Sequence, residues 1–436
     1  MIPYRYKIAF YTLGCKVNYS ETSYITRKFE ENNFRITSFN ETSDIYVINT
    51  CAVTQAAVKK SRYIIQKAIK KNPAALIVIT GCMTEIEQNE LKKYNNTALI
   101  INTNEKYLIF EKIKEKLNTD FIISHNILSE NEFFPTFSYG ERTRSFLKIQ
   151  DGCNYFCSYC VVPYARGRSR SDSIENIIQN IKKITDLGIK EIIITGINIG
   201  DFKNKDGKRL IDLLLKIEDR CNISRLRLSS IEPDLLNDEI IQIVSQSEIF
   251  MPHFHIPLQS GTDKILRLMN RKYDTMLFKN KVGLIKKFLP DCCIATDIIT
   301  GFPGETDIDF ETTYHFLNNL ELSYFHVFTY SERENTKAYH MQDKVSYPIK
   351  KQRTDRLLSL SAYKRNEFYN SQKGKQHEIL FESDNVNGYM YGFTKNYIRV
   401  KMPFNKDFEN KIHTTTLNNI DSDNVFIIDK DTGQIK

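Results

Sequence analysis

Three cysteines, Cys153, Cys157 and Cys160, stand in a C-x3-C-x2-C spacing within Gln150-Asp-Gly-Cys-Asn-Tyr-Phe-Cys-Ser-Tyr-Cys160. Three thiolates on one short loop can hold three irons of a 4Fe–4S cube and leave the fourth iron open. An open iron can bind the amino and carboxylate groups of S-adenosylmethionine and pass an electron into its sulfonium. Zinc is the competing use of such thiolates. A structural zinc site takes four ligands, commonly from paired C-x2-C knuckles, and no second knuckle or nearby histidine completes that set here. Chance clustering explains little, since three of nine cysteines fall within eight residues.

A second trio is dispersed along residues 1–135. Apolar runs at Lys7–Thr12, Asp44–Asn49 and Ala75–Thr80 read as strands, and each is followed closely by a cysteine: Cys15, Cys51 and Cys82. Helices are predicted over Glu21–Asn32, with Ile25 and Phe29 on one face, and over the basic stretch Lys59–Lys70. Alternating strands and helices of this length predict an open parallel sheet. The carboxyl ends of its strands share one edge, where ligands of such folds bind. Three thiols at equivalent strand ends would therefore converge, which favours a second three-cysteine iron–sulfur site. Zinc on the same thiolates, a redox-active thiol and three small buried hydrophobes are the alternatives the residues leave open.

Residues 139–370 alternate six strand candidates with helices. The strands are Ser145–Gly152, Glu191–Gly196, Arg225–Ser230, His253–Leu258, Ile294–Gly301 and Tyr324–Tyr330. The helices between them include Ser173–Leu187, Leu235–Ser245, Tyr273–Phe288 and Asp307–Asn319. The pattern predicts a partial (β/α)6 barrel with its active face at the strand carboxyl ends, where the Cys153–Cys160 loop falls. Groups suited to a bound cofactor end the other strands: Thr195 and Gly196, Ser230 and Glu232, His255 and Gln259, and Asp297 and Gly301. Each alone is weak evidence, because glycine after a strand is usually a turn. Arg166-Gly-Arg-Ser-Arg170 adds guanidinium groups that would sit on a solvated loop or bind substrate phosphates.

Pro348–Lys373 reads as a basic connecting helix stopped by Gly374. Beyond it, short strands separated by turn residues predict a small antiparallel barrel over residues 371–436. Tyr389, Tyr391, Phe393, Tyr397 and Arg399 would place rings near a cation, as RNA-binding barrels do, or simply fill a small core. The fold class is thus α/β: an N-terminal open parallel-sheet domain, a central partial barrel and a C-terminal small antiparallel β-barrel.

The 436 residues carry 61 Lys+Arg against 53 Asp+Glu, a net charge of +8 that suits an anionic polymer as partner, although a mildly basic soluble enzyme is equally compatible. Clustered, odd-numbered cysteines speak for cytosolic metal chemistry rather than a disulfide framework. The N-terminus leads straight into a strand and no run reaches the ~18 apolar residues of a membrane span, so a cytoplasmic protein is expected.

Taken together, Thr12-Leu-Gly-Cys-Lys-Val-Asn18, Asn49-Thr-Cys51, Thr80-Gly-Cys82, the Cys153–Cys160 motif with Tyr159 before its last cysteine, Gly167-Arg-Ser-Arg-Ser171, His255-Ile-Pro-Leu-Gln-Ser-Gly261 and Gly301-Phe-Pro-Gly-Glu305 resemble the radical S-adenosylmethionine methylthiotransferases. The tail from Gly388 to Val400 resembles the RNA-binding TRAM domain. The resemblance implies two 4Fe–4S clusters. Cys153, Cys157 and Cys160 would hold the one that cleaves S-adenosylmethionine to a 5′-deoxyadenosyl radical, and Cys15, Cys51 and Cys82 the auxiliary one that carries the sulfur. One S-adenosylmethionine would supply the methyl group and another the radical.

The residues after Cys15 and the Arg166–Ser171 motif resemble the branch that modifies N6-threonylcarbamoyladenosine at position 37 of tRNA. Two other branches modify isopentenyladenosine in tRNA or an aspartate of a ribosomal protein. The implied partners are the tRNA anticodon stem-loop and a low-potential electron donor such as flavodoxin or ferredoxin. Ala52 and Met83 depart from the family pattern without touching a ligand position, and Cys221, Cys292 and Cys293 are expected to be structural. Removing residues 374–436 is expected to weaken tRNA binding while leaving both cysteine trios intact.

Overall fold

The structure is a computed structural model that describes residues 6–94, 98–117, 132–140 and 143–428 and the strand Gln434–Ile435. The opening residues 1–5, read above as leading into the first strand, lie outside the described residues. The chain divides into two compact units.

The first unit comprises Met1–Ser138, Phe146–Asp172 and Ser331–His340. Its centre is a five-stranded parallel sheet of β1 (Lys7–Thr12), β2 (Arg35–Thr37), β3 (Ile45–Thr50), β4 (Leu76–Gly81) and β5 (Ala98–Ile100), in the order β2-β1-β3-β4-β5. The short outer strands β2 and β5 escape sequence reading because three residues carry too little pattern. β3 is buried at every position, as a central parallel strand covered on both faces must be.

Two helices follow the first and central strands: α1 (Lys16–Glu30) and α2 (Gln55–Lys71). The first begins five residues earlier than its apolar periodicity suggests. Its first turns bury Asn18, Ser20, Glu21 and Thr22 with Val17 as the one hydrophobe, so the inward face is mostly polar there and gives no apolar period to read. The second is capped by Thr54, whose hydroxyl accepts from the Ala57 N–H at 3.1 Å.

The second unit comprises Tyr139–Ser145, Ser173–Tyr330 and Met341–Lys436. Parallel pairs run between Glu191–Thr195 and Arg225–Leu228, and from His253–His255 through Cys293–Thr300 to Tyr324–Thr329. These are five of the six predicted barrel strands, each within a few residues of its expected bounds; the other, expected over Ser145–Gly152, is split into Arg144–Lys148 and Gln150–Asp151. Their helices include Ile174–Asp186, capped by Ser173, and Asp307–Asn318, whose Thr306 and Asp309 form a reciprocal capping box.

The connecting helix, Tyr347–Asn370, is less free than its basic composition suggests. Arg353 is buried and pairs with Glu305 at 2.6 Å and Asp307 at 2.7 Å, while Lys364 Nζ donates to the carbonyl of Leu320 at 3.0 Å. Its cations hold the helix onto the barrel.

The tail folds as a seven-stranded curled sheet, a half-barrel rather than a closed one, with one parallel pairing, Val400 to Phe426. Closure is replaced by cover. Phe368 and Tyr369 of the connecting helix pack into a core with Ile379, Phe381, Met390, Val400, Met402 and Phe426. Arg225, fully buried in the barrel, donates to the carbonyls of Phe393 at 3.0 Å and Glu378 at 2.9 Å. Tail and barrel are therefore one packed body within this unit.

Candidate active site

All six cysteines of the two motifs lie in the first unit. The register pairs Thr12 with Asn49 and Thr50 with Gly81, so β1, β3 and β4 end in one row. Cys15 caps the first helix, Cys51 follows β3 directly, and Cys82 follows β4 and caps the short helix Met83–Ile86. The three thiols lie close enough to feel one another's charge. The sheet edge thus brings together the trio that was dispersed in sequence.

Two asparagines of the quoted motifs explain how. Asn18 Nδ2 donates to the carbonyls of Leu13 at 2.7 Å and Thr50 at 3.2 Å, tying the Cys15 turn to the Cys51 turn. Asn49 Nδ2 donates to the Asn18 carbonyl at 3.0 Å, closing the loop back on the helix. Gly81 takes φ +99°, and a Cβ there would stand 2.3 Å from the Thr50 carbonyl oxygen. Only glycine lets β4 deliver Cys82 so close to Cys51.

The Cys153–Cys160 loop springs from Gly152 at φ +72°, where a Cβ would stand 2.0 Å from the Arg168 carbonyl oxygen. Its turns are fixed by Cys153 N to Gly167 O at 3.1 Å and Cys160 N to Cys157 O at 3.0 Å. The N–H groups of Tyr155 and Val162 donate to the sulfurs of Cys153 and Cys160 at 3.5 and 3.4 Å. Backbone donors aimed at sulfur suit thiolates that carry a cluster's charge. Cys157 is buried, Cys153 and Cys160 are partly open, and Tyr159 is half-buried between them in sequence.

A buried ion cluster lies between the sheet-edge trio and the base of this loop, all within the first unit. Arg166 Nη1 is 2.8 Å from Asp151 Oδ1 and 3.2 Å from Glu21 Oε1, and its other terminal nitrogen reaches Glu21 and Asn18. Lys106 Nζ is 2.6 Å from Glu21, and Lys148 Nζ is 3.2 Å from Glu21 and 3.4 Å from Asp151. Burial works against ionising Glu21 and Asp151, but Arg166 and the lysines outweigh it and hold both carboxyls well below their usual range. Arg166 is 1% exposed, so it is neither a solvated residue nor a binder of substrate phosphate as its motif suggests. Arg168 instead lies on the surface, over the Phe156 ring at 4.4 Å.

Both trios suit iron–sulfur ligation by donor type. Burial raises the Cys51 thiol to about 11 and raises Cys82 as well, the latter opposed by Arg166 and Lys106. A thiol so buried becomes a thiolate readily only when a metal or cation takes up the charge. Among the described residues, the His/Cys/Asp/Glu trio whose ligand atoms lie within 4.8 Å of one another is His255, Asp297 and His326.

The remaining candidate residues lie in the second unit, several of them close together. Ser230 Oγ is 2.7 Å from His255 Nδ1, and His255 Nε2 is 3.1 Å from Asp297 Oδ1. The Gln259 N–H donates to the Asp297 carbonyl at 2.8 Å. Glu232 contacts Arg271; burial, with Asp234 and Asp297 nearby, pushes its carboxyl up to about 7 against that pairing. Thr195 ends its strand buried, with Gly196 next to it, and the Gly301 N–H is taken by Glu305 at 2.7 Å. His253 is a packed histidine, its ring 4.7 Å from that of Tyr397. Cys292 and Cys293 are buried in the core with raised thiols.

Sequence reasoning passed over Glu21, Lys106, Lys148 and Asp151. Lys148 alone gave a signal, as a lysine inside the apolar run Phe146–Ile149.

Residues 147–317 match the radical SAM superfamily, and residues 7–102 match the uncharacterized protein family UPF0004. The chain also resembles solved enzymes of this class in fold. The radical S-adenosylmethionine methyltransferase TsrM from Kitasatospora setae aligns over 76% of this chain and 77% of its own, with TM-score 0.55 and 13% identity, a likeness of fold alone. Fold and cysteine loop define a radical S-adenosylmethionine enzyme, a class that works with a 4Fe–4S cluster and S-adenosylmethionine.

The particular family follows from whole-length relatives. The threonylcarbamoyladenosine tRNA methylthiotransferase MtaB of Bacillus subtilis is 35% identical over 417 residues, 93% of this chain and 92% of the relative. That of Aquifex aeolicus is 37% identical over 91% of this chain and 96% of its own. A tRNA-2-methylthio-N(6)-dimethylallyladenosine synthase of Clostridium botulinum is 32% identical over 86% of each. The chain belongs to the radical SAM tRNA methylthiotransferase family, and is an enzyme of the transferase class.

Proposed function

We propose that this enzyme places a methylthio group on C2 of N6-threonylcarbamoyladenosine at position 37 of tRNA. The observation that carries the reading is the convergence of Cys15, Cys51 and Cys82 at one sheet edge, in the same compact unit as the Cys153–Cys160 loop. Simple RNA binding needs neither trio. The substrate follows from relatives of that name at 33–37% identity, against 31–32% for those named for dimethylallyladenosine.

Cys153, Cys157 and Cys160 would hold one 4Fe–4S cluster, and Cys15, Cys51 and Cys82 a second. When bound, the first with S-adenosylmethionine supplies radical chemistry and the second the sulfur to be transferred. The chain's own contribution is placement. Thr195, Gly196, Ser230, Glu232, Gln259, Asp297 and Gly301, with Tyr159 of the loop, are the groups that would seat S-adenosylmethionine. Ser230, His255 and Asp297 form a hydrogen-bonded series that fixes the imidazole. The tail, as a TRAM-type module, would hold the anticodon stem-loop on the face bearing Tyr389, Tyr391, Arg399 and Lys401. A low-potential donor such as flavodoxin or ferredoxin would reduce the first cluster in the cytoplasm. Among the described residues no helix is long and apolar enough to cross a membrane.

Nucleoside analysis of tRNA from a strain lacking this enzyme and any paralogue tests the reading. The 2-methylthio threonylcarbamoyl nucleoside should vanish and return on complementation. Loss of the isopentenyl derivative instead would reassign the substrate.

A further inference from the structure

The ion cluster around Arg166 is unbalanced. Among its fully buried members, Glu21 and Asp151 face Arg166, Lys106 and Lys148, and Arg170 adds a cation 3.4 Å from Asp151. Counting Glu132, which lines the adjoining cavity, still leaves the cations in excess. An uncompensated buried cation is destabilising, so the excess calls for a further anion. Two further observations say where the missing anion belongs. Arg166 Nε is buried without a hydrogen-bond partner. The same guanidinium reaches Asn18, whose amide ties the turns that carry Cys15 and Cys51, and it lies within electrostatic reach of Cys82 and Cys15.

We propose that Arg166 is a positioning residue for the Cys15–Cys51–Cys82 site, supplying a buried counter-charge and an N–H donor to its sulfur face. The proposal rests on the reading of that trio as a cluster site. Donors to sulfur and local positive charge stabilise the reduced, more anionic form of an iron–sulfur cluster and raise its reduction potential. Arg166 also reaches the neighbouring loop: Gly152 and Cys153 follow its partner Asp151, and Arg166 itself ends the helix Val162–Arg166 just after Cys160. One side chain thus registers both cysteine motifs against each other.

The test uses the full-length chain with Cys153, Cys157 and Cys160 all changed to Ala, reconstituted anaerobically with iron and sulfide. A 4Fe–4S spectrum from this protein is expected; its absence would defeat the two-cluster reading itself. On that background, the midpoint potential is read by EPR-monitored redox titration. Arg166→Gln should lower it and Glu21→Gln, which removes a negative charge, should raise it. Each shift should reach a tenfold change in the reduced-to-oxidised ratio, about 59 mV for a one-electron couple. Arg166→Lys, which keeps the charge but not the fork, should fall between wild type and Arg166→Gln. A merely structural role would move the two substitutions in the same direction or not at all, and either result overturns the proposal. If Arg166→Gln does not fold, the signs for Glu21→Gln and Arg166→Lys decide it.

Discussion

On the proposed reading Cys51 and Cys157 would do different work, although both are buried thiols on loops of one compact unit. A Cys51→Ala variant should bind about half the iron of the wild type if the two trios assemble independently. It should still yield 5′-deoxyadenosine under reducing conditions and give no methylthiolated tRNA, by iron assay and product chromatography. Full iron with full product would end the convergent-trio account. Glu232 offers a second residue-level test. Its carboxyl, raised from 4.5 to about 7, keeps a proton in the folded protein that the unfolded chain has lost. The stability it carries is therefore complete below about pH 4.5 and disappears as pH rises through about 7. Between about pH 5 and pH 8 the wild type should lose melting temperature relative to Glu232→Gln; parallel curves would mean that Arg271 keeps the group ionised throughout.

The convergence of Cys15, Cys51 and Cys82 was legible in the sequence because each follows an apolar strand run of a parallel sheet. Glu21 and Asp151 were not, since isolated charges usually mark surface, and Lys148 showed only as a lysine inside an apolar run. Nothing local announces that a partner 127 residues away will bury Lys148 against Glu21.

At the scale of elements, strands ending in cysteine were readable from apolar runs and helix stops. The start of the first helix was not, because its first turns bury mostly polar residues. The tail shows the opposite failure. Its strands were legible, but its closure was not, since the cover comes from Phe368 and Tyr369 on a helix whose sequence advertises only charge.

The tail core is also shared with Cys293 of the barrel, and Tyr324 packs against it. Deleting residues 374–436 would strip that cover and leave Arg225 without its carbonyl partners, so the deletion does not isolate RNA binding. Point variants do. On the strand Tyr389–Thr394 the face opposite the core carries Tyr389 and Tyr391, with Lys401 Nζ 4.9 Å from the first ring and the Arg399 guanidinium 4.1 Å from the second. Tyr391→Ala should weaken tRNA binding by ~1–3 kcal/mol, roughly 5- to 150-fold, if a base stacks there. Arg399→Ala should flatten the salt dependence. Both should melt like the wild type. Tyr397→Ala should instead lower the melting temperature, because that ring stacks on Phe393 at 4.8 Å and lies under Arg227. Unchanged affinity in Tyr391→Ala and Arg399→Ala would remove the RNA role from this face.

At the scale of the molecule, the first unit is not a continuous stretch of chain. It needs Ser331–His340, which returns after the barrel: Ser331 Oγ accepts from the Gln55 N–H at 2.9 Å, Arg333 pairs with Glu87 at 2.6 Å, and the Ala338 N–H donates to the Ser158 carbonyl at 2.8 Å. That strap touches the segments following Cys51 and Cys82 as well as the Cys153–Cys160 loop. On a ribosome adding about 5–20 residues per second, it emerges roughly 15–65 s after Cys15 does. Cys15, Cys51 and Cys82 are then on a nascent chain without the strap for more than half of the time these 436 residues take to make, and the Cys153–Cys160 loop for a shorter part of it. Iron and sulfide delivered early would meet an unfinished cradle. Stalled nascent chains ending before residue 331 should acquire little oxygen-stable cluster, and chains released beyond residue 340 should load fully when measured by iron content. Equal loading at both lengths would show that the sheet edge is complete without the strap. Otherwise the last part of the first unit to be translated sets when its metal can be installed, and maturation belongs after translation rather than during it.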